Sequence, residues 1–272
     1  MKTDIRPRGV LRLTTCSYGL SKIPFRGAMR PTDAPYIAII GGSATFGKFI
    51  AKPYPDLLEA ALNEVCINLG YQSAGPDVFL QDTAVQSLCQ DAVAVVIQIM
   101  GAANLSNVFY RVHPRRNDRF IAPTDRLKAL YPEVDFTDIA FTGHLIERLR
   151  AVDDERFTLV KTHLQKTWIT RMKMLIRLAR GPVVLLWFAK RTPEDTDDTG
   201  QFSNEPAFVT REMLGQLRRD VADIVEVMNR STDVRGMCFA PLDALAAQKT
   251  LNPSAHKMAA KALRGPLLDS LR

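Results

Sequence analysis

The sequence predicts an α/β protein: three layers, with a five-stranded parallel sheet between helices. Three observations carry that expectation. Short apolar runs recur along the 272 residues, and stretches of helical spacing separate them. Such alternation builds parallel sheets through right-handed crossovers. Two of the runs, at 92–100 and 182–189, are apolar almost without interruption, as strands buried on both faces are. The run at 36–40 ends abruptly in Gly41-Gly42-Ser43, a strand entering a tight turn.

Taken in order, residues 1–34 show scattered basic residues and little periodicity, and are expected to form an irregular arm. Strand one is expected at 36–41. A helix over 55–64 places Leu57, Leu58, Ala61 and Leu62 on one face. Strand two falls at 65–69. A helix over 78–90 repeats Leu80, Ala84 and Leu88, and strand three occupies 92–100. The chain between Gly101 and Gly181 exceeds what one crossover helix requires. It holds a short helix over 138–150 and a long one over 155–180, with Phe157, Val160, Leu164, Trp168, Met172, Leu175 and Ala179 as its stripe. Strand four follows at 182–189, then a polar, acidic loop at 191–204. Met213, Leu217, Val221, Ile224 and Met228 predict a helix over 210–229. Strand five is expected at 236–240, and the last helix after Pro253. No stretch rich in Gly, Ser or Pro divides the span 35–272, which reads as a single α/β domain with an insertion at about 105–155.

Composition removes several function classes. With 46% hydrophobic and 24% charged residues, the chain can bury one large core. No apolar stretch reaches the roughly 20 residues of a membrane span, and the first residues lack the apolar segment of a secretory signal. Cys16, Cys66, Cys89 and Cys238 stand far apart without CxxC spacing; reduced thiols in a cytoplasmic protein are expected, with no metal site and no cofactor. A net charge of +7 favours anionic partners in general. Nucleic acid is not among the expected ones, because no binding motif or aromatic-interleaved basic tract is present. Association of the chain with itself stays open.

The stretch PYIAIIGGSATFGK admits three readings: a plain strand-to-turn junction, a phosphate loop, or a nucleophile turn. Gly42 to Lys48 fits G-x-x-x-x-G-K and would make the chain a nucleotide or sulfonucleotide binder. Phe49 stands where that motif requires Ser or Thr, and Pro53 and Pro55 oppose a helix beginning at the lysine. In the third reading Ser43 is the nucleophile. Gly42-Ser43 with Gly47 and Tyr54-Pro55, then Asn68-Leu-Gly70 with Gly75, then Gly101-Ala-Ala-Asn104 stand after successive strands. This succession resembles the blocks of the SGNH, or GDSL, hydrolase superfamily over about residues 36–265. The resemblance implies a flavodoxin-like strand order 2-1-3-4-5. It also implies an oxyanion hole drawn from the Ser43 N–H, a glycine N–H (Gly70 or Gly75) and the Asn104 side chain.

The superfamily's last block, D-x-x-H, is absent in either alignment. In one, His256 is the histidine and Pro253 replaces the aspartate. In the other, Thr250-Leu-Asn-Pro-Ser-Ala-His256 follows the superfamily's H-L-N-P-x-G-H, so Thr250 and Ala247 replace the histidine and the aspartate; more residues match this way. His113 is then a replacement base; His144 and His163 are read as exposed or satisfied. His113 lies in the segment HPRRNDRF, where Arg111, Arg115, Arg116 and Arg119 are candidates for anion binding through their planar guanidinium forks. That segment resembles one in a family of bacterial proteins without assigned function. Two function classes follow. One is an ester hydrolase or acyl transferase using Ser43 on a small anionic or carbohydrate-linked substrate. The other is an SGNH-fold protein that binds an anionic ligand or a partner chain without serine chemistry.

Overall fold

The computed structural model describes residues 9–194 and 205–271. Five parallel strands form the central sheet: β1 (Tyr36–Gly41), β2 (Val65–Gly70), β3 (Ala94–Gln98), β4 (Val183–Ala189) and β5 (Asp223–Met228). Their order is β2-β1-β3-β4-β5, the order expected from the sequence. Gly41 pairs with Gly70 and Ile40 with Ile97, so the carboxyl ends of the first three strands lie level.

Alternate side chains of each strand feed two cores, because a strand points successive residues to opposite faces. Ile37, Ile39, Val96, Val184 and Leu186 meet Tyr54 and Leu58 of α2 (Tyr54–Leu62) and Ala255, Ala259 and Leu263 of α10 (Pro253–Ser270). Ala38, Ile40, Ile97, Leu185 and Trp187 meet Leu164, Trp168 and Met172 of α7 (Asp154–Ile176). The stripe predicted over 155–180 is therefore core packing. The indole N–H of Trp168 donates to the Met100 carbonyl at 2.8 Å, which pins α7 to the chain leaving β3.

The carboxyl-terminal third departs from expectation. Residues 210–229 do not form one helix: α8 (Arg211–Gly215) and a single 3₁₀ turn (Arg218–Asp220) are the helical pieces there, and the last strand is Asp223–Met228 rather than 236–240. The apolar residues at spacings of three and four span two elements. In β5 Val225 and Val227 are buried while Glu226 and Met228 are exposed, the period-two pattern of an edge strand. Residues 236–240 leave a turn at Arg235–Gly236 and do not pair with the sheet. Met237, Cys238 and Phe239 are buried beside Phe49 and Ile50, and the Cys238 N–H donates to the Phe49 carbonyl at 2.9 Å. The helix predicted over 78–90 is broken into α3 (Pro76–Leu80) and α4 (Thr83–Asp91), since Asp82 caps α4 by accepting the Val85 N–H. The polar loop at 191–204 lies outside the described residues from 195 onward.

Two small hairpins flank the sheet. Thr15–Cys16 pairs with Phe25–Arg26 in the amino-terminal arm, and Tyr110–Val112 pairs with Phe120–Pro123 in the insertion. The arm does structural work: the Arg26 guanidinium donates to the carbonyls of Phe46, Gly47, Ile50 and Ala51, fastening the chain behind Ser43. Among the described residues no helix is long and apolar enough to cross a membrane, and no group of His, Cys, Asp or Glu is gathered to hold a metal ion. Cys66, Cys89 and Cys238 are buried and Cys16 is half-buried, all unpaired.

Candidate functional site

The site begins where β1 stops. Gly42 precedes a single helical turn, α1 (Ser43–Phe46), and Gly47 ends it at φ 64°, a left-handed conformation that favours glycine. A buried polar network fixes this turn from below. Gln98 Oε1 accepts the Gly42 N–H at 2.8 Å and the Thr45 hydroxyl at 3.0 Å, while Thr45 Oγ1 and the Tyr54 hydroxyl lie 2.9 Å apart. Asn68 ties the turn to β2, donating to the Thr45 carbonyl and accepting the Gly70 N–H. Ser43 itself stays exposed, and its Oγ accepts the Ser73 N–H at 3.0 Å.

Ser43 opens onto a cavity of about 270 Å³ at the carboxyl ends of the strands, where open α/β sheets place their ligands. Ser43, Ser73, Gln98 and Asn104 line it from the ends of β1, β2 and β3. Lys190 lines it from the end of β4; Lys249, Thr250 and Leu251 do so from the chain between α9 (Ala244–Lys249) and α10. Glu205 completes the wall. Asn104 is oriented by the insertion: the Thr142 hydroxyl donates to Asn104 Oδ1 at 2.6 Å. That separation suits an O–H donor to oxygen better than an N–H donor, so the Asn104 amide N–H₂ is left for other partners. Replacing Thr142 by valine removes this tether and should cost about 1 kcal/mol of stability. It should also shift the Asn104 side-chain amide resonances, which Thr142→Ser should leave in place; unmoved resonances in Thr142→Val would refute the tether.

Several expected site residues are placed elsewhere. The N–H groups of Gly70 and Gly75 are not available to an oxyanion, because Asn68 Oδ1 and Asn117 Oδ1 accept them at 2.9 and 3.0 Å. Gly75 matters through its missing side chain: a Cβ there would stand 1.8 Å from the Asn104 carbonyl oxygen. His256 does not line the cavity. It is 1% exposed, lies between Tyr54 and Phe188, and its Nδ1 accepts the Tyr54 N–H at 3.0 Å at the start of α2. Burial, with Arg26 as a lesser cause, pushes its pKa down to about 3. Thr250, by contrast, does line the cavity, and Ala247 is buried.

His113 turns into its own loop, Nδ1 accepting the N–H groups of Arg115 and Arg116. His144 is exposed, and His163 sits edge-on to Phe109. The four arginines likewise stay outside the cavity. Arg111 and Arg115 are exposed, Arg116 pairs with Asp118 at 3.2 Å, and Arg119 lies over the Phe141 ring. Flanked by Asp118 and aromatic surface, they are solvated or locally paired rather than gathered for an anion. What the segment contributes is Asn117, fully buried, whose amide holds Gly75 and Val78 on one side and the His113 and Pro114 carbonyls on the other. The phosphate-loop reading fails as well. The turn ends at Gly47 instead of beginning a helix at Lys48, and Lys48 pairs with Asp243.

The residues that sequence reasoning missed are Ser73, Gln98, Thr142, Asn117, Lys190 and Lys249. Gln98 carried a signal, as the one strongly polar residue in the apolar run 92–100. The others lie in loops or at element ends, where no period marks them.

A protein-family model described as "Domain of unknown function (DUF6473)" matches residues 1–271. The chain belongs to this family. No curated protein matches it. Similar solved structures include a family two carbohydrate esterase from Clostridium thermocellum in complex with cellohexaose, at 11% identity, TM-score 0.47, and 91% and 68% coverage of this chain and that one. A protein from Lactobacillus plantarum gives 17% identity, TM-score 0.40, and 87% and 97% coverage. A catalytic mutant of an acetylxylan esterase from Geobacillus stearothermophilus gives 12% identity, TM-score 0.39, and 89% and 96% coverage. All three superpose below a TM-score of 0.5, and their activities are not transferred to the DUF6473 chain. Its fold rests on its own strand order and pairing.

Proposed function

We propose that this DUF6473 chain is an SGNH-like protein whose Ser43 pocket binds a small anionic or sugar-linked ligand without serine–histidine chemistry. The observation that supports this is the composition of the cavity wall: it contains Ser43 but none of the chain's four histidines. A serine hydroxyl is a weak nucleophile at its ordinary pKa and needs a base in contact to become effective. Ser43 Oγ instead accepts a backbone N–H from Ser73, which leaves its own O–H to donate to a ligand.

A second reading rests on one further observation. Lys190 lines the same wall, and burial lowers its pKa, so a neutral amine is easier to reach there. In that reading Lys190 replaces histidine as the base for acyl transfer to Ser43. A fluorophosphonate probe separates the two. Wild type and Ser43→Ala should label alike if the pocket only binds. Labelling that disappears in Ser43→Ala would overturn the binding reading, and its further dependence on Lys190→Met would assign the base.

A further inference from the structure

The wall of the Ser43 pocket is uneven in charge, and sheet order gives the unevenness a direction. Ser73 follows β2, Ser43 follows β1 and Asn104 follows β3; all three are neutral and offer hydroxyl or amide groups. Lys190 follows β4, and Lys249 with Thr250 comes from the chain beyond β5. Glu205 also lines the wall, its carboxylate held beside Gly101 by the Ala207 N–H at 3.4 Å. Since neighbouring strands lie about 4.8 Å apart, β1 and β4 are about 10 Å apart across β3. The cavity thus runs from neutral hydrogen-bonding groups to two ammonium groups over the width of one small molecule.

The lysines keep capacity for a ligand. Lys190 Nζ donates one of its three protons to the Gln248 carbonyl, and neither Lys190 nor Lys249 is paired with a carboxylate among the described residues. An ammonium in a partly enclosed wall is stabilised by an arriving anion more than one in bulk water. The volume, about 270 Å³, lies just under the roughly 300–1,000 Å³ usual for larger ligands.

Building on the binding reading above, we infer that the ligand is a small polyhydroxy anion of one sugar ring. Its hydroxyls lie over the ends of β1 and β3, and its carboxylate or phosphate lies against Lys190 and Lys249. Neutral sugars of the same size lack the second half of the recognition, and simple carboxylates lack the first.

Calorimetric titration of the full chain with D-glucuronate, D-glucose and acetate tests this. D-glucuronate should bind at least ten-fold more tightly than D-glucose or acetate. Lys190→Met and Lys249→Met should each reduce D-glucuronate affinity about ten- to hundred-fold, the loss expected of one charge-assisted contact. Lys249 is exposed, so its variant keeps the test intact if Lys190→Met does not fold. Equal affinity for D-glucuronate and D-glucose, a preference unchanged in both lysine variants, or no binding of any of the three overturns the inference. The binding reading itself falls to a different result, Ser43-dependent fluorophosphonate labelling.

Discussion

Replacing Asn117 by alanine should destabilise the protein by about 3–5 kcal/mol, among the largest losses available to a single polar side chain. Asn117 is fully buried, and its amide serves four backbone groups at once: the Gly75 and Val78 N–H at 3.0 and 3.2 Å, the His113 and Pro114 carbonyls at 3.1 and 3.3 Å. Each buried group left without a partner costs about 1–3 kcal/mol. The four losses will not add fully, because water can enter the vacated space. Asn117→Asp keeps the Oδ1 acceptor but sets a second carboxylate oxygen against the His113 and Pro114 carbonyls, so it should destabilise as well, more so where the carboxyl is ionised. Chemical denaturation of the three proteins measures this, and a loss below about 1 kcal/mol in Asn117→Ala would show that the clamp is dispensable.

Stability should also fall on mild acidification, and His256 should account for the slope. In the folded protein the His256 pKa is about 3, against about 6.5 for an ordinary imidazole. Between those values the unfolded chain carries a proton on this residue that the folded chain does not. The stabilising contribution is therefore complete above about pH 6.5 and is lost progressively as pH falls toward 3. One proton gives a slope of about 1.4 kcal/mol per pH unit, hence about 2–3 kcal/mol between pH 6.5 and 4.5. His256→Gln can still accept the Tyr54 N–H but cannot titrate. Denaturation midpoints across this window should slope in the wild type and stay nearly flat in the variant. Parallel slopes would assign the acid sensitivity to other groups.

The sequence made four of the five strands legible because burial on both faces removes ambiguity. Residues 36–41, 65–69, 92–100 and 182–189 are apolar and short, and glycine or helical spacing bounds them. β5 was hidden by its position at the sheet edge. Ile224, Val225 and Val227 are β-branched, yet Glu226 faces water and Met228 falls in step with a helical stripe begun in α8. The run 236–240 misled because an apolar segment buried in a loop cluster has the composition of a strand without its partners. For the site, Ser43 and Asn104 were legible through their place after a strand. His256 was not, because chemistry alone cannot tell a base from a buried acceptor at a helix start. The arginines drew notice by charge, while the neighbouring Asn117 that organises the segment was silent in composition.

The Asn117 clamp also sets how this molecule can come apart locally. Gly75 and Val78 belong to the chain after β2, whereas Asn117, His113 and Pro114 belong to the insertion after β3. Neither segment can open alone without leaving buried N–H or carbonyl groups unmet on the other. They therefore behave as one cooperative unit of partial unfolding, although about forty residues separate them in sequence. The insertion is accordingly not a free-swinging cover for the Ser43 pocket: the wall at Ala74, next to the clamped Gly75, opens only at the free energy that releases the insertion as well.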